Sequence, residues 1–158
     1  LHNTFGISLT IAGSTAGLFG LGGMLYMATA KYTIRKFGET GLSRIGASAL
    51  AFSFLVIAFT PWWPLALPAC FFGGFGFAMF HNTMQANATQ MVPTARGTGV
   101  TLFAGFLFLG QSIGVIMLAN LLTHFSSGFV IACAAVVALG LGLFLAHAIE
   151  KHQAHRKI

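Results

Sequence analysis

Charge is scarce in this chain. Of its 158 residues eight are Lys or Arg and two are acidic, both glutamate, so aspartate is missing altogether. Soluble domains carry charge on roughly a quarter of their residues, and 6% is too little to cover a water-soluble globule of this size. The same numbers exclude disorder, which needs low hydrophobicity and high charge. Without aspartate there is no Ser-His-Asp set, and neither a cysteine pair with zinc spacing nor a phosphate-cradling glycine loop is present. The chain is therefore not read as an enzyme, and no cofactor or metal is expected. With two cysteines, Cys70 and Cys133, no disulfide framework can form, and buried free thiols are expected. Eight scattered basic residues with no interleaved aromatics make a poor phosphate-binding surface, so nucleic acid is not an expected partner.

What the chain has is hydrophobicity, 56% of residues with a mean hydropathy of +0.85. Charged residues are absent from Leu1 to Ala30, from Ile45 to Ala95 and from Gly97 to Ile149, runs of 30, 51 and 53 residues. A helical crossing of a bilayer takes about 20 apolar residues. The runs therefore hold one, two and two crossings. The longer two divide at Thr60-Pro61-Trp62-Trp63-Pro64, where helix-breaking prolines meet interfacial tryptophans, and at the polar turn Thr123 to Gly128. The expectation is an all-α membrane protein, one transmembrane domain over 1–158 with five transmembrane helices near 7–30, 42–60, 65–90, 98–122 and 129–148. Spans of this length that do not alternate are helices rather than barrel strands.

Five crossings put Lys31, Arg35, Lys36, Arg44, Arg96, Lys151, Arg156 and Lys157 on one side, which the positive-inside rule makes cytoplasmic. The N-terminus is then outside and the C-terminus inside, and the chain sits in the lipid bilayer, most simply a bacterial inner (plasma) membrane. No basic region precedes the first apolar run, so it is not a signal peptide. The chain starts with Leu1, and Leu1 to Thr4 reads as an external turn, which implies that something upstream is missing.

Within the spans, polar side chains concentrate between Met79 and Gln90. At helical spacing Ala78, Asn82, Gln85 and Thr89 form one stripe, with His81 beside it and one turn from Gln85. Such a face points into a bundle or a water-filled cavity; interhelical hydrogen bonding without a solute is the alternative. His81 is either neutral and satisfied by Gln85 or a backbone carbonyl, or a proton-coupling group. Two further features concern helix contact. Gly13-x-x-x-Gly17 and Gly110-x-x-x-Gly114 have the spacing that lets helices approach closely, for plain packing or for sliding during a conformational cycle. Gln111 and Asn120 read as packing hydrogen bonds. His147, His152 and His155 read as part of a mobile basic tail.

The order of segments resembles the C-terminal half of a major facilitator superfamily transporter. The residues that carry the resemblance are Gly20-Leu21-Gly22-Gly23, Ile34-Arg35-Lys36-Phe37-Gly38, Pro93-Thr94-Ala95-Arg96-Gly97 and Phe108-Leu109-Gly110-Gln111-Ser112-Ile113-Gly114. The likeness covers nearly the whole chain. It implies the eighth to twelfth helices, a partial six-helix half of the major facilitator fold, built from inverted repeats. The first and fourth spans are then repeat partners, and Ala16 to Gly22 matches Ala104 to Gly110 at four of seven positions. The resemblance also implies roles. His81, Asn82, Gln85 and Thr89 become substrate-cavity candidates, while Gly13, Gly17, Gly110, Gly114 and Gln111 lie on gating and packing helices. Arg35, Lys36, Gly38, Arg96 and Gly97 belong to cytoplasmic loops. Where the family has an aspartate ahead of the loop's basic residue, this chain has Arg35, which argues against a charge relay there. The implied function is that of a fragment of a secondary active transporter moving a small solute by alternating access, its N-terminal half missing from the chain. The competing reading is a small multi-pass subunit with a structural or assembly role.

Overall fold

The computed structural model describes residue 6 and residues 8–155. The expected turn at Leu1 to Thr4, the start of the first span at Ile7, and Arg156 and Lys157 lie outside the described residues. The described chain is helical: α1 (Leu9–Phe59), a short 3-10 turn (Trp63–Leu65), α2 (Ala66–Gln90), α3 (Arg96–His124) and α4 (Ser127–His155). Four helices are long and apolar enough to cross a bilayer, where five were expected. The difference lies in α1, a 51-residue element that contains both of the first two expected spans.

The reason is a turn of minimal length. Between Lys31 and Arg44 there is no proline, and helical geometry runs up to Gly38 from both sides. Gly38 alone departs from it, at φ 63° and ψ 176°. That region of backbone space is open essentially only to glycine. On a straight helix Phe19 and Ser53 would lie about 51 Å apart at 1.5 Å per residue. Instead a Cβ built on Gly73 would meet Ser53 at 3.1 Å and Phe19 at 3.8 Å. Residues 9–37 and 39–59 are thus two arms that double back at Gly38, with α2 against both. Ser8 caps the start, accepting from the Ile11 amide at 3.3 Å. Pro61 ends the second arm, and Thr60 bridges the corner: its hydroxyl donates to the Trp62 carbonyl at 3.0 Å and accepts from the Trp62 amide at 3.2 Å.

Backbone-to-backbone approach at small residues holds the arms to α2, as expected where lipid removes the hydrophobic drive between helices. A Cβ on Gly76 would come within 2.7 Å of the Gly46 carbonyl oxygen, and one on Gly46 within 2.8 Å of that of Gly76. Gly22 and Gly74 are closed by backbone of the facing helix in the same way. Tyr26, Leu42 and Met79 form the buried centre, with Phe75 set edge-on to Tyr26 at 5.8 Å. On the second arm Ser43 donates its hydroxyl to the Gly142 carbonyl at 2.8 Å, which fixes α4. Elsewhere large apolar side chains face outward, among them Phe52, Phe106, Ile116 and Phe144 at 69%, 72%, 72% and 73% exposure, as a lipid-facing surface requires. The cysteines depart from expectation. Cys70 is half-buried and Cys133 exposed, because both sit on outward or partly covered helix faces; both are free.

The two ends of the bundle differ in character. At one, Arg44 pairs with Glu150 at 2.9 Å and Gln90 donates to Glu39 at 3.0 Å. At the other lie the tryptophan turn and the α3–α4 turn, where a Cβ on Gly128 would come within 2.9 Å of the Ala58 carbonyl oxygen. Arg44 and both glutamates, Glu39 and Glu150, thus find partners at the end away from the tryptophans.

Candidate solute path along α2

The polar stripe of α2 lies between the first arm of α1 and α3. Asn82 donates an amide hydrogen to Met27 Sδ on the first arm at 3.4 Å, a weak acceptor. On the other side the His81 ring lies 5.5 Å from Phe77, stacked at 18°, and 5.5 Å from Phe103 of α3. The imidazole is thus held by aromatic faces, one from its own helix and one from the neighbour, rather than by Gln85. Gln85 makes no hydrogen bond among the described residues, and no described polar side-chain atom is buried without a partner. Its amide is therefore at least partly accessible.

The stripe changes role toward the charged end. Thr83 is buried and donates to the Met79 carbonyl at 2.8 Å; Asn87 donates to that of Thr83 at 2.9 Å. Thr89 donates to the Ala86 carbonyl at 2.7 Å, beside the point where Gly99 passes within 2.9 Å of the Ala88 carbonyl oxygen, measured from a Cβ built on Gly99. Thr89 and Gln90 are thus engaged near the charged end, whereas His81, Asn82 and Gln85 are half-buried and donate to no backbone carbonyl among the described residues.

Next to Asn82 and His81 is a cavity of about 360 Å³ lined by Phe19, Gly20, Gly23, Met24 and Met27 of α1 and by Gly74, Phe77 and Ala78 of α2. Met27 and Phe77 join it to the stripe, since they are the partners of Asn82 and His81. Sequence reasoning singled out none of Phe19, Met24, Met27, Phe77 and Phe103. Only Phe77 shares a helix with Ala78 and Asn82; the others come from α1 and α3, and apolar residues in membrane helices do not advertise which neighbour they meet.

The remaining candidates are dispersed. A Cβ on Gly13, Gly17, Gly110 or Gly114 would meet no atom within 4 Å, so neither glycine pair contacts another described helix. Gln111 is exposed on α3, whose only buried residue is Gly99. Gly13 and Gly17 precede Phe19, which meets Gly74, and Gly110 and Gly114 follow Phe103, which meets His81, so both pairs lie toward the tryptophan end from the stripe. Arg35 is exposed, Lys36 lies over the Tyr32 and Phe37 rings at 5.6 and 5.3 Å, and Gly38 forms the reversal. Arg96 and Gly97 open α3, exposed. Among the described residues no group of three His, Cys, Asp or Glu is placed to hold a metal.

Comparison with curated proteins and with solved structures gave no match. The family model described as Major Facilitator Superfamily matches residues 1–157, nearly the whole chain. Members of that family are transporters rather than enzymes, and long apolar helices place such a protein within the lipid bilayer. With its membrane helices and this match, the chain belongs to the major facilitator superfamily.

Proposed function

We propose that these helices form one side of a secondary active transporter that moves a small solute by alternating access. The observation that carries the reading is the half-buried polar group His81, Asn82 and Gln85 on a membrane helix beside a cavity, two of whose lining residues, Phe77 and Met27, touch His81 and Asn82. Polar side chains at membrane depth are expected where they face a water-filled path. Thr89 marks the charged end of that path. The two arms of α1 each cross the membrane, giving five crossings from four helices, since they double back at Gly38.

A second helical bundle completes the cavity, and its helices meet the open faces at Gly13, Gly17, Gly110 and Gly114, with Gln111 between the last two. Those faces are smooth and unoccupied, which suits elements that rock against a partner. The end that carries Arg44, Glu150, Glu39 and Arg96 is cytoplasmic, together with the loop residues Arg35, Lys36, Gly38 and Gly97; the tryptophan turn and the N-terminus are outside. A bacterial inner membrane fits this arrangement.

Counterflow tests the reading. These helices, together with the second bundle that completes the cavity, are reconstituted in liposomes loaded with an unlabelled solute panel, and uptake of the same labelled solutes is followed without an ion gradient. A carrier gives transient accumulation of at least one solute, which Asn82→Ala and Gln85→Ala reduce. Equal, non-saturable leak of all solutes would contradict it.

A further inference from the structure

We infer that the wall formed by the cavity and stripe takes a solute with a flat apolar ring and no net charge. This rests on the proposed role of α2 as a solute path and adds the chemistry of the solute. Three observations carry it. The cavity beside the stripe is walled by Phe19, Met24, Met27 and Phe77, and at Gly20 a Cβ would meet nothing within 4 Å, so the floor is open. Phe19 and Phe77 stand 5.6 Å apart at 43°, a tilted pair that presents ring edges and faces to the cavity. The polar groups at its edge are the Asn82 and Gln85 amides and the His81 imidazole, which lies on Phe77. Asn82 commits one hydrogen to a thioether and Gln85 commits none, leaving donors and acceptors for a neutral hydroxyl, carbonyl or amide.

Charge is what this wall lacks. Both glutamates of the chain, Glu39 and Glu150, are engaged at the charged end, and no Lys or Arg occurs from Ile45 to Ala95. A charged solute would give up hydration against apolar walls with no countercharge in return.

The test uses three ring compounds of nearly one shape: benzamide, benzamidinium and benzoate. Binding to the protein in lipid nanodiscs is measured by equilibrium dialysis. Benzamide binds at least about tenfold more tightly than either ion, a factor of ten being about 1.4 kcal/mol. Gly20→Phe, which fills the floor, and Asn82→Leu each weaken it by a similar factor, and Asn82→Asp reverses the order in favour of benzamidinium. Equal or tighter binding of an ion, binding of none of the three, or binding unchanged in both Gly20→Phe and Asn82→Leu overturns the inference. Failure of counterflow with benzamide binding intact would instead count against the transport reading alone.

Discussion

Gly38 bears more of the architecture than any other single residue, because the reversal of α1 depends on a conformation that a side chain resists. Gly38→Ala should cost about 1–3 kcal/mol, read as a lower unfolding midpoint in detergent. Glycines elsewhere separate into two kinds. Gly74 is closed by the Phe19 backbone, so Gly74→Ala should lower stability by about 1–3 kcal/mol, whereas Gly17→Ala, in open space, should leave the midpoint unchanged. If Gly17→Ala nonetheless slows counterflow, the open face works during the cycle. The sequence advertised the wrong glycines for internal packing. A GxxxG spacing says that a face is smooth, not which neighbour it meets, and the close approaches at Gly22, Gly46, Gly74 and Gly76 depend on helix phases set by the Gly38 turn. His81 follows the same logic. Its polarity suggested a hydrogen bond to Gln85, yet the rings of Phe77 and Phe103 hold it. Each aromatic pair contributes about 0.5–1.5 kcal/mol, so His81→Phe should preserve stability and His81→Ala should lower it.

Among elements, α1 and α3 are the instructive pair. The proline-tryptophan corner separates α1 from α2, and the break between α3 and α4 falls within the expected turn from Thr123 to Gly128, whereas the end of the first charge-free run at Ala30 marks no helix end. The basic stretch was legible as a boundary but not as a helix, since charge says where a chain leaves lipid and nothing about its hydrogen bonding. The α1 arms have a direct check. On a background with Cys70 and Cys133 replaced by alanine, single cysteines at Trp63 and Ser127 should react with an impermeant thiol reagent added outside, and one at Thr40 should not. Labelling at Thr40 from outside would remove the double crossing. In contrast α3 touches the rest chiefly at Gly99 and Phe103 near its start and around Leu118 and Leu122 near its end. Its long exposed middle, Phe106 to Ile116, is the surface on which a second bundle is proposed to bear. The Arg44–Glu150 pair ties α1 to α4 at the surface, where such pairs are worth about 0–1 kcal/mol.

For the whole molecule, charge and polarity are sorted by position. Both acidic groups and their partners gather at one end, the tryptophans at the other, and between them polar side chains concentrate on one face of α2. That sorting was readable from the sequence, because the cost of charge in lipid forces it. The cavity walls were not, because phenylalanine and methionine serve equally as lipid-facing, packing or solute-facing groups, and only the fold separates these uses. The central claim is that His81, Asn82 and Gln85 line a path open to water from each side of the membrane in turn. Substituted-cysteine labelling at Asn82, again without Cys70 and Cys133, tests it most directly, with Phe72→Cys as the outward-facing control. The account predicts that Asn82→Cys reacts with an impermeant thiol reagent applied to right-side-out and to inside-out vesicles alike, while Phe72→Cys stays unreactive in both. An Asn82 cysteine as unreactive as the Phe72 control from both faces would contradict it.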